Sequence, residues 1–201
     1  NVANPLDGSN GNNAITNIMD IFSGNFDGDL IYVWNGASYD TFTIDSSWPS
    51  GVGNSIDSAA VTPPVVNPGT AIFIQNTVGA TTNTFVGVVH VDGAGTGSIG
   101  VTTNHLAVGF SYVASKLPVA GGISSVLKLP SDGSLDGSII NVPNIVAGNV
   151  QGFTQYTIDS AWPSGFGNAI DSAAVPEPTI AVGSGFFIQN TSGATDWVQS
   201  Y

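Results

Sequence analysis

The feature that most constrains this chain is that it contains one segment twice. Thr43-Ile-Asp-Ser-Ser-Trp-Pro-Ser-Gly-Val-Gly-Asn-Ser-Ile-Asp-Ser-Ala-Ala-Val61 returns as Thr157-Ile-Asp-Ser-Ala-Trp-Pro-Ser-Gly-Phe-Gly-Asn-Ala-Ile-Asp-Ser-Ala-Ala-Val175. The match runs without a gap to Phe73-Ile-Gln-Asn-Thr77 and Phe187-Ile-Gln-Asn-Thr191. Self-similarity of this length marks one supersecondary unit built twice. Upstream the match is weaker. Asp27-Gly-Asp-Leu-Ile-Tyr-Val33 answers to Asp136-Gly-Ser-Ile-Ile-Asn-Val142, and Val2-Ala3 with Leu6 to Val113-Ala114 with Leu117.

Each unit reads as β structure. Long helical surfaces are normally clothed in Glu, Lys, Arg and Gln. This chain has one Glu (Glu177), two Lys (Lys116, Lys128) and no Arg, and its charged fraction is 8%. Gly and Pro, at 26 and 11 residues, punctuate short strands. Apolar runs rich in β-branched and aromatic residues predict strands at 30–34, 71–75, 85–91, 106–114 and 185–189. Ile15, Ile18 and Met19, matched by Ile123, Val126 and Leu127, have i, i+3, i+4 spacing, which predicts one short helical turn per unit. The expected fold is therefore all-β: two tandem β-sandwich-like repeat domains, each with a short helical turn. Domain 1 covers 1–92, a Gly/Thr-rich linker covers 93–104, and domain 2 covers 105–201. A single pseudo-symmetric sandwich in which the copies share a sheet is the alternative.

Composition removes several function classes. A net charge of −12 argues against nucleic acid, whose phosphates are held by Lys and Arg. There is no Cys, so neither disulfides nor thiol chemistry enter. No apolar run is long enough for a helical membrane span. Asn1 in place of Met is what a processed terminus leaves, and the overall composition suits export.

The motifs carry little catalytic content. Gly95-Thr-Gly-Ser-Ile-Gly100 matches the dinucleotide-binding glycine pattern, but no helical period follows it, so it reads as linker. His90 and His105, the two histidines, flank that linker and have no nucleophile spaced to meet them. Val175-Pro-Glu-Pro-Thr179 resembles a Pro-Glu-Pro sorting tag without the membrane span and basic cluster that should follow, so it reads as a turn. No enzymatic activity is expected. Asp27 and Asp29 lie in an Asp-Gly turn; Asp45 and Asp57 flank the Trp-Pro turn, and Asp159 and Asp171 repeat them. Loops of Asp, Asn, Ser and Gly offer calcium its oxygen ligands, while the plainer reading is that these side chains cap their own turns. Trp48 and Trp162, each before a Pro, are either buried corners or platforms for stacking on a sugar ring.

The Asp-Gly turn before a strand, the Trp-Pro turn and the Phe-Ile-Gln-Asn strand in each copy, with Gly109-Phe-Ser-Tyr-Val-Ala114 opening the second, resemble a family of secreted bacterial two-repeat β proteins. The resemblance implies export and a β fold, and brings no activity or site residues. The functional expectation is an extracellular or cell-surface structural protein that self-assembles into a filament, tube or surface layer. A carbohydrate-binding or adhesive lectin-like module, with glycan as partner, is the alternative. One route to a homo-polymer is strand donation. Copy 1 begins at Asn1-Val-Ala3 and lacks counterparts for 106–111, so an apolar tail at 194–201 could complete a neighbour's sheet. Val2, Trp197, Val198 and Tyr201 are the expected subunit contacts.

Overall fold

The structure is a computed structural model and describes residues 26–66, 69–77, 101–117 and 119–200. In chain order the strands are β1 (Leu30–Trp34), β2 (Tyr39–Ile44), β3 (Val52–Asn54), β4 (Ile72–Gln75), β5 (Val101–Leu106), β6 (Gly109–Ala114), β7 (Gly121–Gly122), β8 (Ile139–Val146), β9 (Asn149–Ile158), β10 (Phe166–Asn168), β11 (Thr179–Ile180), β12 (Gly185–Asn190) and β13 (Thr195–Ser200). Among the described residues the fold is all-β, with no helix. The predicted helical turn of copy 2, at Ile123, Val126 and Leu127, is a hydrogen-bonded turn in which the Val126 N–H donates to Gly122 O at 3.0 Å and the Lys128 N–H to Ser124 O at 3.2 Å. Ile15, Ile18 and Met19 lie outside the described residues.

The duplication is reproduced in the sheets. Among the described residues, copy 1 forms a four-stranded antiparallel sheet in the order β3-β2-β1-β4. Copy 2 forms β10-β9-β8-β12 in the same order and adds β6 beyond β12. Registers match: Ile31 faces Phe42 and Ile74, as Ile140 faces Tyr156 and Ile188. The copies differ at the first hairpin. Leu30–Ile44 spans 15 residues and Ile139–Ile158 spans 20, and the five extra residues lengthen β8 and β9 at their tip.

Two of the expected boundaries shift. The run 106–114, expected as one strand, breaks at Ala107 and Val108 before Gly109 at φ 101°, a conformation glycine adopts readily. The break makes β5 and β6 separate strands, and β6 pairs with β12. β5 begins at Val101, inside the predicted linker, and pairs with β13 from Val101–Ser200 to Leu106–Thr195. The β5–β13 ribbon alternates buried and exposed residues along both strands, as a sheet with one face on a core must.

Among the described residues, three apolar clusters hold the fold. Copy 2 has the largest, in which Leu106, Leu127, Ile140, Phe166, Phe186 and Trp197 are all fully buried. In copy 1, Phe26, Ile31, Ile44, Val52 and Val66 occupy the equivalent core face. The third lies between the copies: Ala71, Tyr112 and Ala114 with Trp34, Phe73 and Phe187 packed on them. Phe73 stacks on Tyr112 at 4.7 Å between ring centroids, Tyr112 on Phe187 at 4.4 Å, and Trp34 meets Phe187 edge-on at 5.8 Å. These rings stand on the faces of the two sheets turned away from each copy's own core. Such pairs add about 0.5–1.5 kcal/mol each beyond the area they bury.

β6 also touches copy 1 along its free edge. The Ala114 N–H donates to Gly69 O at 2.8 Å, and Thr70 forms a bridge with Val113. The approach is close: a Cβ on Gly185 would lie 2.4 Å from that of Ala71.

Candidate functional site

The two Trp-Pro corners are built alike. The Trp48 N–H donates to Asp45 O at 3.2 Å, and the Trp162 N–H to Asp159 O at 3.1 Å. Each indole lies half-buried on the backbone of the next short strand. A Cβ on Gly53 would be 2.0 Å from the Trp48 ring, and one on Gly167 2.1 Å from the Trp162 ring. Glycine is present at both positions because no side chain fits under the ring.

Most of the acidic residues accept hydrogen bonds from the turns they stand in, while Asp27 and Asp136 each reach a second turn, 19 and 24 residues further along the chain. Asp27 accepts the Ser46 N–H and hydroxyl at 2.8 and 2.6 Å, as Asp136 accepts those of Ser160 at 2.8 and 2.7 Å. Asp45 accepts the Ser47 N–H and hydroxyl at 2.8 and 2.6 Å, and Asp159 the Ala161 N–H at 2.9 Å. The Ser47 hydroxyl, then its N–H, holds the Asp45 carboxyl below the usual carboxylate range. Ser134 acts on Asp132 in the same order. Asp57 and Asp171 each accept an N–H two residues ahead at 3.1 Å, from Ala59 and Ala173. These are Asx turns.

Asp29 is different. It is fully buried, its Oδ1 accepts the Thr77 N–H at 2.6 Å, and its Oδ2 has no hydrogen-bond partner. Its counterpart in copy 2 is Ser138, whose hydroxyl accepts the Thr191 N–H at 3.2 Å. Among the described residues, no three His, Asp or Glu side chains are grouped so as to hold a metal ion.

The same turns present an apolar residue to solvent in both copies. Asn54 Oδ1 accepts the Ile56 N–H at 2.8 Å, and Asn168 Oδ1 the Ile170 N–H at 2.8 Å. Ser58 and Ser172 close the two loops with φ of 54° and 56°. Ile56 is left 91% exposed and Ile170 89% exposed. Beside each loop runs an open groove of about 360 Å³ in copy 1 and about 380 Å³ in copy 2. Asp40, Thr41, Phe42 and Asn54 line the first, and Thr154, Gln155, Tyr156 and Asn168 stand at the matching places in the second. Trp48 and Trp162 line neither groove.

Two further sequence motifs have structural roles. Glu177 of the Pro-Glu-Pro run accepts the Ser124 and Ser125 N–H groups at 2.5 and 2.7 Å and so caps the turn that follows β7. His105 stands on β5 opposite Asp196 of β13, with Nδ1 and Oδ1 2.8 Å apart at the surface. His90 lies outside the described residues.

The tail is not a free strand. β13 is paired with β5 along its whole length, and Trp197 is fully buried against Phe186 with its Nε1–H donating to Leu127 O at 2.6 Å. Gln199, also buried, donates to the same carbonyl at 3.0 Å. Trp197 is a core residue of its own chain, because the pleat that exposes Val198 turns Trp197 inward. Val2 and Tyr201 lie outside the described residues.

Sequence reasoning missed the aromatic layer between the copies and the long β8–β9 hairpin. Pro143 demotes the hairpin as a strand candidate. No protein family, no characterised protein and no solved structure matches this chain.

Proposed function

We propose that this chain is an extracellular structural protein that assembles with copies of itself into a filament, tube or surface layer. The reading takes up the resemblance to secreted two-repeat β proteins. The observation that carries it is the pair of loop tips, Ile56 and Ile170, each held in solvent by the same Asx turn. Each isoleucine leaves about 1.5–3 kcal/mol of burial unused in the single chain. A neighbouring chain that covers both tips recovers that energy twice. The low charge supports the same reading, since surfaces dressed in Asn, Ser and Thr approach one another without stripping water from many ions. Strand donation by the tail is replaced as the route, because β13 is already paired within its own chain.

The test is the double variant Ile56→Asp with Ile170→Asp, viewed by electron microscopy beside the unaltered chain. Regular polymers are expected from the unaltered chain and none from the variant. Polymers that form equally well from the variant would remove the loop tips from the account.

A second reading rests on the two matching grooves. Each joins an aromatic ring, Phe42 or Tyr156, to an amide from Asn54 or Asn168. An apolar plate beside fixed polar groups is how proteins hold sugars, and a bivalent carbohydrate-binding or adhesive module follows from it. Glycan-array binding that Phe42→Ala and Tyr156→Ala each weaken would establish this reading in place of the first.

A further inference from the structure

The copies differ in hairpin length and in the size of the residue at Val52 and Phe166, yet both keep an open groove at the same place. Strand register builds it. Phe42 stands directly opposite Asn54 across β2 and β3, and Tyr156 directly opposite Asn168 across β9 and β10. Directly opposed residues share one face of a sheet, with Cβ atoms about 4.5–5.5 Å apart. Each ring therefore lies beside an amide. Both rings are half-buried and anchored on the core of their own copy.

The two amides are held alike. Oδ1 of Asn54 and of Asn168 accepts the N–H of Ile56 and of Ile170, at 2.8 Å in each copy. That bond fixes the side chain, and among the described residues Nδ2 donates to nothing in either copy. A carboxylate stands at each groove as well, Asp40 in copy 1 and Glu177 in copy 2. Asp40 Oδ1 accepts from Asn35 Nδ2 at 2.9 Å, and among the described residues its Oδ2 accepts nothing. Neither groove is lined by Lys, Arg or His.

We infer that both grooves take an uncharged polysaccharide, so that one chain holds such a polymer at two points. This inference rests on the carbohydrate reading and deepens it. The ring offers a plate for the C–H face of a sugar, Nδ2 donates to a sugar oxygen, and a carboxylate accepts from a hydroxyl. An apolar plate beside a few fixed polar groups sets a ligand's orientation. Charge selects the class of sugar. A uronate, sulfate or phosphate would meet a carboxylate in each groove with no cation to pair with, on a chain of net charge −12. Duplication selects a polymer. The aromatic layer holds the two sheets against each other, and two like sites on one body gain most from a ligand that repeats.

The strong negative charge makes affinity electrophoresis a direct test, because it drives the chain through a native gel in which a bound polymer slows it. Gels containing a β-glucan, an α-glucan, a mannan or a galactan are compared with gels containing polygalacturonate. At least one of the uncharged polymers should retard the chain, and polygalacturonate should not. The variants are Asn54→Asp and Asn168→Asp, since Asp caps the same turn and lacks the Nδ2 donor. Both should keep the far-ultraviolet circular dichroism of the unaltered chain. Each alone should lower the apparent affinity for the polymer at least about tenfold by removing one of two points of contact, and the double variant should run as in a gel without polymer. Val182→Asp makes a new charge on an exposed turn outside the grooves and should be retarded like the unaltered chain. Retardation that both Asn variants leave intact overturns the grooves as the site. A loss in one Asn variant alone overturns the two-point contact. Retardation by polygalacturonate, alone or as strong as by the others, overturns the uncharged ligand and leaves the carbohydrate reading standing. No retardation in any of the five gels overturns the inference and the carbohydrate reading together.

Discussion

Among the described residues, the two copies share their turns and differ in what covers them. In both, Asp caps the strand entry, Trp lies on Gly, and Asn holds an isoleucine outward, with distances that agree within about a tenth of an ångström for the capping bonds of Asp27 and Asp136. Beyond this frame the copies part. Copy 2 closes its core with β5, β6, β13 and the turn at 123–127, so Leu106, Leu127 and Trp197 are fully buried around Phe166. In copy 1 the smaller Val52 stands where copy 2 has Phe166, and Ile74 is partly exposed where its counterpart Ile188 is buried. The difference teaches that the repeated sequence specifies a scaffold of turns and strands, while side-chain size and cover decide how much stability each copy draws from it.

Truncation at equivalent core positions should break the symmetry most. Phe166→Ala should cost about 3–5 kcal/mol, the usual range for a buried Phe, and Val52→Ala about 2 kcal/mol. Chemical denaturation of the two variants measures both, and equal losses would mean that the cores are equivalent after all. The corners should behave in the opposite way. Gly53→Ala and Gly167→Ala each drive a methyl into an indole and should each cost about 1–3 kcal/mol, by the same amount in both copies. A loss at one site alone would show that one corner yields where the other does not.

Two substitutions that make copy 1 resemble copy 2 should have smaller effects. Asp29→Ser installs the residue found at Ser138 and removes a buried oxygen without a partner, so melting should show a gain of about 1 kcal/mol. If Asp29 instead serves a calcium ion, the same substitution should destabilise in added calcium and not in chelator. Tyr39→Phe installs the ring of its counterpart Phe153. The Tyr39 hydroxyl is buried without a partner, and burial pushes its pKa up to about 12. Between the ordinary tyrosine value near 10 and about 12, the unfolded chain gives up this proton and the folded chain keeps it, so stability falls as pH rises. Melting temperatures recorded across that window should fall less steeply in Tyr39→Phe. Tyr112, raised in the same direction by burial and then by Tyr39, keeps part of the slope.

What could be read from residues alone follows from how local each feature is. The repeat, the Asx turns and the Trp-Pro corners rest on side chains that meet their partners within a few positions, so their spacing shows in the sequence. The β5–β13 ribbon joins residues about 90 positions apart, His105 to Asp196 for one. Its inward face also includes Thr102, Asn104 and Gln199, whose polarity conceals their burial. Asn104 is satisfied by Ala114 O and Gln199 by Leu127 O, partners that spacing does not reveal. The aromatic layer escaped notice for a related reason. Strand alternation places Trp34, Phe73 and Phe187 on outer faces, and the sequence does not state that those faces meet each other.

Self-assembly is the central claim, and electron microscopy of the purified, unaltered chain tests it most directly. Regular filaments, tubes or sheets with a constant repeat are the predicted result. A field of separate particles, each the size of one chain even at high concentration, would contradict it.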